Sequence, residues 1–150
     1  MAGPPLRYHW LRLRATCHPT EDLSKVESAV RGAAGVADLD LKAEPMDTHH
    51  GGTVHVVEGV LDKSRAVRDT LGRILALPGA REDLEATLEA RTDDDGVFYL
   101  RLDKQAAFAG RLELTRGEDA VQLRLKMEHY PATRAAALDS LKTLLATGRP

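Results

Sequence analysis

The sequence predicts an α+β protein: a two-layer sandwich in which a mixed sheet of about six strands carries helices on one face. Several segments alternate apolar and polar side chains, which is typical of strands, and the segments between them repeat apolar residues at the helical spacing. In every predicted strand only one face is apolar. Each strand therefore needs cover on one side and leaves its other side in water.

Composition and charge limit the functions that the chain can have. A chain of 150 residues, 43% hydrophobic and 29% charged, is expected to form a single domain over residues 1–150, with a Pro-rich, disordered tail at residues 1–6. The 21 Lys and Arg and the 23 Asp and Glu give a net charge of −2, so any nucleic-acid site must be a local patch. The sequence has neither an apolar run long enough to span a membrane nor an apolar leader, which predicts a cytoplasmic protein.

In the first half of the chain, three predicted strands accompany one helix. The first strand begins at Tyr8. Its inner side carries four apolar residues: Leu11, Leu13, Ala15 and Cys17. Thr20 is placed to cap the helix that follows, and Gly35 is placed to end it. Alternation then predicts a strand over residues 36–44, a loop, and a hairpin partner over residues 53–61.

The second half contains three more predicted strands and three helices. Asp62 is expected to cap a helix that Pro78-Gly79 ends, a further helix covers residues 80–91, and the last helix starts at Pro131. The strands are predicted at residues 97–102, 111–114 and 121–128.

The open face of such a sheet carries a distinctive set of side chains. Its ten predicted residues are Tyr8, Trp10, Arg12, Arg14, Tyr99, Arg101, Arg111, Gln122, Arg124 and Lys126. Six of them are basic, and three of the chain's six aromatic residues are among them. An arginine fork binds phosphate oxygens and an aromatic ring stacks on an unpaired base, so the mixture predicts binding of single-stranded or structured RNA. The alternative is a plain solvated face, because exposed strand positions need polar residues in any case.

The segment after the strand of Tyr99 and Arg101 extends this hypothesis. Asp103 is expected to cap a short helical turn. Lys104 and Gln105 either continue the edge formed by Tyr99 and Arg101, so that it grips the RNA backbone, or fasten the turn to neighbouring carbonyl groups. The predicted RNA-binding set is therefore Trp10, Arg12, Arg14, Tyr99, Arg101, Lys104, Gln105, Arg111, Arg124 and Lys126.

Two other classes of function remain open. A Trp on an open face is typical of a contact surface, so Trp10 also fits a protein partner or a homodimer. A metal-dependent enzyme is the third hypothesis, because Asp47, His49 and His50 share a loop and His55 lies on the next strand. That group lacks a recognised ligand spacing, and no nucleophile with a base partner can be identified. The sequence therefore predicts a protein that is not an enzyme and has neither metal nor cofactor.

Four segments of the chain carry a family resemblance. They are Tyr8–Thr16, Thr20–Asp22, Arg91–Gly110 and Ala120–Lys126, the last followed by Tyr130-Pro131. In this order they resemble a small archaeal family of RNA-binding proteins, also described as predicted exosome subunits. The resemblance implies a fold similar to that of the ribosomal protein that holds the small RNA of the large subunit. It also implies an archaeal cytoplasmic protein that works with RNA-processing or RNA-degrading machinery such as the exosome.

The resemblance carries a signature and one departure. Arg101, Asp103, Lys104 and Gln105 match the family residue by residue, and no catalytic residue is carried over. Family members often have a Gly-Asn-Pro turn after the second strand, whereas this chain has His50-Gly51-Gly52-Thr53. A function located in that turn is therefore not implied for this protein.

Overall fold

The structure, a computed structural model, describes residues 5–49 and 51–150 of the chain. Within these residues it has six helices and one open antiparallel sheet of five strands, which confirms the α+β class. The strands are β1 (Tyr8–Cys17), β2 (Lys42–Asp47), β3 (Thr53–Leu61), β4 (Phe98–Asp103) and β5 (Ala120–Met127), in the sheet order β2-β3-β1-β5-β4. The helices are α1 (Leu23–Ala34), α2 (Ser64–Leu75), α3 (Ala80–Ala86), α4 (Leu88–Arg91), α5 (Lys104–Phe108) and α6 (Arg134–Thr147).

The predicted mixed sheet of six strands is wrong in two respects. The sheet is antiparallel, a property that the alternation of side chains does not report. The predicted strand over residues 111–114 does not form, and Leu114 makes only an isolated antiparallel bridge to Leu102. The Arg111 N–H donates to the Ala106 carbonyl oxygen at 2.8 Å, so the chain is tied back to α5 where the strand would begin.

The described residues form two compact units. The first unit contains residues 5–11, 61–100 and 124–150, including α2, α3, α4 and α6. The second contains residues 12–60 and 101–123, including β2, α1 and α5. Strands β1, β3, β4 and β5 each contribute residues to both units. The single domain and the disordered tail stay predictions, and the first four residues of that tail lie outside the described residues.

Strand β1 buries all four residues of its predicted inner side. Leu11, Leu13, Ala15 and Cys17 are at most 3% exposed. The prediction that Tyr8 shares the open face with Trp10 is wrong, since Tyr8 is buried at 3% exposure. Two residues, instead of one, separate Tyr8 from the next buried position, so strict alternation fails at the start of the strand.

Tyr8→Phe is expected to raise the free energy of unfolding by about 1 kcal/mol. Within the described residues the Tyr8 hydroxyl is buried without a hydrogen-bond partner, and its burial raises the pKa of Tyr8 to about 12. Phenylalanine keeps the ring, which lies 5.7 Å from the Arg68 guanidinium carbon, and removes the unsatisfied group. Urea unfolding measures the change. A less stable variant would show instead that the hydroxyl has a bound partner in solution.

Strands β2 and β3 form the predicted antiparallel hairpin, but β2 lies later in the chain than expected. The predicted strand over residues 36–44 is replaced by one that begins at Lys42, and all six of its side chains are exposed. A Cβ on Gly59 of β3 would lie 2.7 Å from Leu41 Cδ2 and 2.9 Å from Leu39 Cδ2. The two leucines therefore pack over the glycine before β2 begins. They are the apolar residues on which the predicted strand over residues 36–44 depends.

Three helices begin later than predicted, and one predicted helix is divided. The predicted N-caps are Thr20 and Asp62, whereas the observed N-caps are Asp22 and Lys63. The last helix is predicted to start at Pro131 and is observed to start at Arg134, with Thr133 as its N-cap. At α1 the Asp22 carboxylate accepts from the Ser24 N–H at 2.9 Å, so this side chain caps the helix. The helix predicted over residues 80–91 separates into α3 and α4 at Thr87. Gly35 ends α1 as predicted, with φ of 70°.

Candidate nucleic-acid interface

The second unit carries two predicted arginines on β1. Arg12 is exposed, while Arg14 lies beside Glu58 with 3.6 Å between Arg14 Nε and Glu58 Oε1. The side chains of that pair are 39% and 49% exposed, so water screens their attraction and the ion pair contributes little stability. An incoming anion therefore competes with a weak contact at Arg14.

Two further predicted arginines of the second unit lie on and after β4. Arg101 is half-buried, and its Nη1 is 3.4 Å from the Gly117 carbonyl oxygen, which is a weak hydrogen bond. The Arg111 side chain is 64% exposed, with Nε 3.5 Å from Glu113 Oε1. Since the strand predicted around Arg111 does not form, its placement on the open sheet face is wrong. Arg101 keeps its predicted strand position.

Lys104 is buried, which contradicts its expected place on an exposed RNA-gripping edge. The residue is 4% exposed. Its Nζ donates to the Thr16 carbonyl oxygen and to Glu21 Oε1, each at 2.9 Å, and it forms an ion pair with Asp119 Oδ1, also at 2.9 Å. This matches the alternative that Lys104 fastens the turn to a neighbouring carbonyl group. An ammonium group with three partners in the protein has no donor left for a phosphate.

Lys104, Glu21 and Asp119 form a charged group that we name the Lys104 cluster. Burial lowers the pKa of Lys104, but hydrogen bonds to the two carboxylates outweigh it and the pKa is raised overall. Burial raises the pKa of Glu21, but hydrogen bonds from the His18 N–H and from Lys104 lower it overall. The hydrogen bond from Lys104 lowers the pKa of Asp119. All three groups are therefore charged at neutral pH, and they tie β1 to the segments that precede α1 and β5.

The two neighbours of Lys104 behave differently from it. Asp103 caps α5 as predicted, because its Oδ2 accepts from the Ala106 N–H at 2.8 Å. Gln105 is exposed, and its Nε2 makes a long hydrogen bond of 3.3 Å to Asp119 Oδ2. Of the pair Lys104 and Gln105, only Gln105 is accessible to a ligand.

The remaining four predicted residues lie in the first unit. They are Trp10, Tyr99, Arg124 and Lys126, all of them half-buried. The Tyr99 hydroxyl donates to Asp93 Oδ2 at 3.0 Å, and Lys126 Nζ donates to the Asp95 carbonyl oxygen at 2.6 Å. The structure thus places six of the ten predicted residues in the second unit and four in the first.

Two exposed aromatic residues lie outside the RNA-binding set that the sequence predicts. Phe108 at the end of α5 is 47% exposed, and Tyr130 after β5 is 98% exposed. Neither residue belongs to a strand, so the alternation of side chains along strands does not identify them. A helical wheel over residues 104–108 was the available signal, because it separates Phe108 and Gln105 from the small residues Ala106 and Ala107.

The described residues also bear on the metal hypothesis. Within residues 5–49 and 51–150, no three His, Cys, Asp or Glu side chains approach closely enough to hold a metal ion. Asp47 ends β2 and His49 is exposed, while His50 lies outside the described residues. In the same part of the chain, every helix is too short or too polar to cross a membrane.

The fold and the accessible arginines define a class of protein: a small α+β protein whose open antiparallel sheet carries cations on its strands. The chain belongs to a family described as RNA binding, whose family model matches residues 10–127. This confirms the resemblance found in the sequence.

Three relatives show the extent of the similarity. The chain is 30% identical to RNA-binding protein PAB1135 of Pyrococcus abyssi, over 97% of both chains. It is similar in structure to Mth689, a DUF54 protein of Methanothermobacter thermautotrophicus, with a TM-score of 0.78, 32% identity and coverage of 94% of this chain and 99% of the other. Protein AF2318 of Archaeoglobus fulgidus has a TM-score of 0.80, 28% identity and coverage of 93% and 99%.

Proposed function

We propose that the protein binds RNA, without catalysing a reaction, through the arginines that β1 and β4 carry in the second unit. One observation carries the proposal. Arg12, Arg14 and Arg101 are accessible, while the strand neighbours Leu13 and Leu102 are fully buried. The family description and the name of the Pyrococcus relative support RNA as the ligand.

The chemistry of these residues suits a polyanion without requiring a positive net charge. Each guanidinium presents parallel N–H donors that match two phosphate oxygens. The proposal takes the helices to cover one face of the sheet, as the sequence predicts, so that the arginine side remains open. The regular alternation of buried and half-buried residues along β4 and β5 supports that arrangement.

The variant Arg12→Ala/Arg14→Ala/Arg101→Ala is expected to bind single-stranded RNA at least about tenfold more weakly than the parent at low salt. If each arginine contacts one phosphate, the slope of log affinity against log salt concentration falls by about 2. Fluorescence anisotropy with a labelled oligonucleotide, repeated over a salt series, measures both quantities.

A matched triple variant separates a binding site from a general charge effect. Arg65→Ala/Lys142→Ala/Arg149→Ala removes the same formal charge from exposed positions of the first unit. We expect it to bind RNA as the parent does. Equal affinities of the two triple variants would contradict the assigned surface. In that case a dimer that shields Trp10 from a fluorescence quencher would support the protein-contact alternative.

We further propose that the protein works with RNA-processing or RNA-degrading machinery such as the exosome. The family resemblance of the four sequence segments supports this role. Affinity purification of the tagged protein with and without ribonuclease treatment tests it. Exosome subunits retained after the RNA is digested would indicate a protein contact, and their loss would indicate that RNA alone links the two.

A further inference from the structure

A groove of about 320 Å³ lies beside α1 and α5 in the second unit. Parts of two segments that carry the family resemblance, Thr20–Asp22 and Lys104-Gln105, converge in its lining. The helices approach closely here, since a Cβ on Gly32 of α1 would lie 2.7 Å from the Ala107 carbonyl oxygen of α5. We name this feature the α1–α5 groove. Its volume is at the lower end of the range of small-ligand sites.

The α1–α5 groove has an apolar part that includes an aromatic ring. Val26, Ala29 and Phe108 line this part, and of the three only Phe108 is exposed. Phe108 is 47% exposed although it is fully apolar, and Lys25 Nζ lies 5.9 Å from its ring centroid. That distance is at the limit of a cation–π contact. The ring is therefore available for stacking by a flat ligand.

The polar part of the groove is balanced in charge. Its lining contains two carboxylates, Glu21 and Asp22, and two ammonium groups, Lys25 and Lys104. The positive charge of Lys104 is already paired with the carboxylates of Glu21 and Asp119 in the Lys104 cluster. The two carboxylates would repel a phosphate, and the two ammonium groups would repel a cationic side chain. The lining instead favours a neutral group that both donates and accepts hydrogen bonds.

We propose that the α1–α5 groove binds an unpaired base of single-stranded RNA. A nucleobase is neutral and planar, with apolar faces and an edge of donors and acceptors, which is the combination that the lining offers. In this arrangement the base stacks on Phe108, and the Gln105 amide and the Thr20 hydroxyl face its edge. The inference rests on the proposed RNA binding and adds that the ligand is single-stranded at this point.

Phe108→Ala is expected to weaken binding of single-stranded RNA at least about fivefold, which is the lower end of the effect of one stacked base. Binding of the four homopolymer oligonucleotides and of a duplex of mixed sequence is measured by anisotropy at one salt concentration. The loss is expected for at least one homopolymer, while duplex affinity and the salt dependence stay as in the parent. Phe108→Tyr keeps the aromatic ring and is expected to retain affinity.

The control is Met46→Ala, which removes an apolar side chain of 49% exposure from β2 in the same unit. It is expected to leave RNA binding unchanged. If Phe108→Ala binds every oligonucleotide as the parent does while the arginine triple variant loses affinity, the groove is not a base site although RNA binding stands. If the parent protein binds no RNA, the proposed RNA binding and the proposed base site are both wrong. If Phe108→Ala loses duplex and single-stranded affinity equally, base stacking is excluded.

Discussion

Lys104→Met is expected to lower the free energy of unfolding by about 2–4 kcal/mol. The variant keeps the length of the side chain and removes the ammonium group, whose side chain is 5% exposed. Glu21, with a side chain 22% exposed, loses its charged partner, and the Thr16 carbonyl oxygen loses a donor. Breaking a buried ion pair from one side leaves charge without compensation, which is why the loss exceeds that of a surface pair. Urea unfolding followed by circular dichroism measures it.

The effect of Lys104→Met is expected to depend on pH in a defined direction. The folded-state pKa values of Glu21 and Asp119 are lowered, so their contribution is present above the ordinary carboxyl pKa and is lost as the pH falls through the folded values. The folded-state pKa of Lys104 is raised, so its contribution is present below the ordinary lysine pKa and is lost as the pH rises through the folded value. The difference between parent and variant should therefore shrink in strong acid and in strong base. Lys142→Met, at an exposed position of α6, is the control and is expected to change stability by less than about 0.5 kcal/mol.

Gly96→Ala is expected to lower the free energy of unfolding by about 2–4 kcal/mol. Gly96 has φ of 79°, a left-handed conformation in which a Cβ is strained. A Cβ there would also lie 2.8 Å from the Cβ of Ala137 on α6, in the first unit. The turn cannot easily relax, because Asp93 Oδ1 accepts from the N–H groups of Asp95 and Val97, each at 2.9 Å. The backbone strain and the clash therefore add.

Gly79→Ala separates these two causes. Gly79 belongs to the same unit and has φ of 75°, but a Cβ at this position would meet no atom within 4 Å. Its replacement is expected to cost about 1 kcal/mol, from the backbone alone. If the two glycine variants unfold at the same urea concentration, the contact with Ala137 does not contribute, and the packing of α6 against the turn is looser than the structure shows.

The sequence alone determined the parts of the fold that depend on local alternation and local caps. Leu13, Leu100 and Leu123 are buried, as the alternation of apolar and polar residues predicts. Successive side chains of a strand point to opposite faces, and this does not depend on the elements that pack against the strand. The Asp103 cap and the Gly35 helix end follow in the same way from groups within a few residues of each other. The family is also recognisable from the sequence alone, since its segments occur in order along the chain.

Only the tertiary structure decided the roles of residues whose partners are distant in sequence. Lys104 meets Thr16 and Glu21, more than eighty residues away, and no local pattern distinguishes such a buried lysine from an exposed one. Leu39 and Leu41 pack against Gly59 and lie outside β2, although both belong to the predicted strand. The hydrogen bond from Arg111 to Ala106 of α5 lies where the sixth strand is predicted to begin. The division of the ten predicted residues between two units has the same origin. Periodicity fixes the side of an element on which a residue lies, whereas the packing of whole elements fixes what that residue meets.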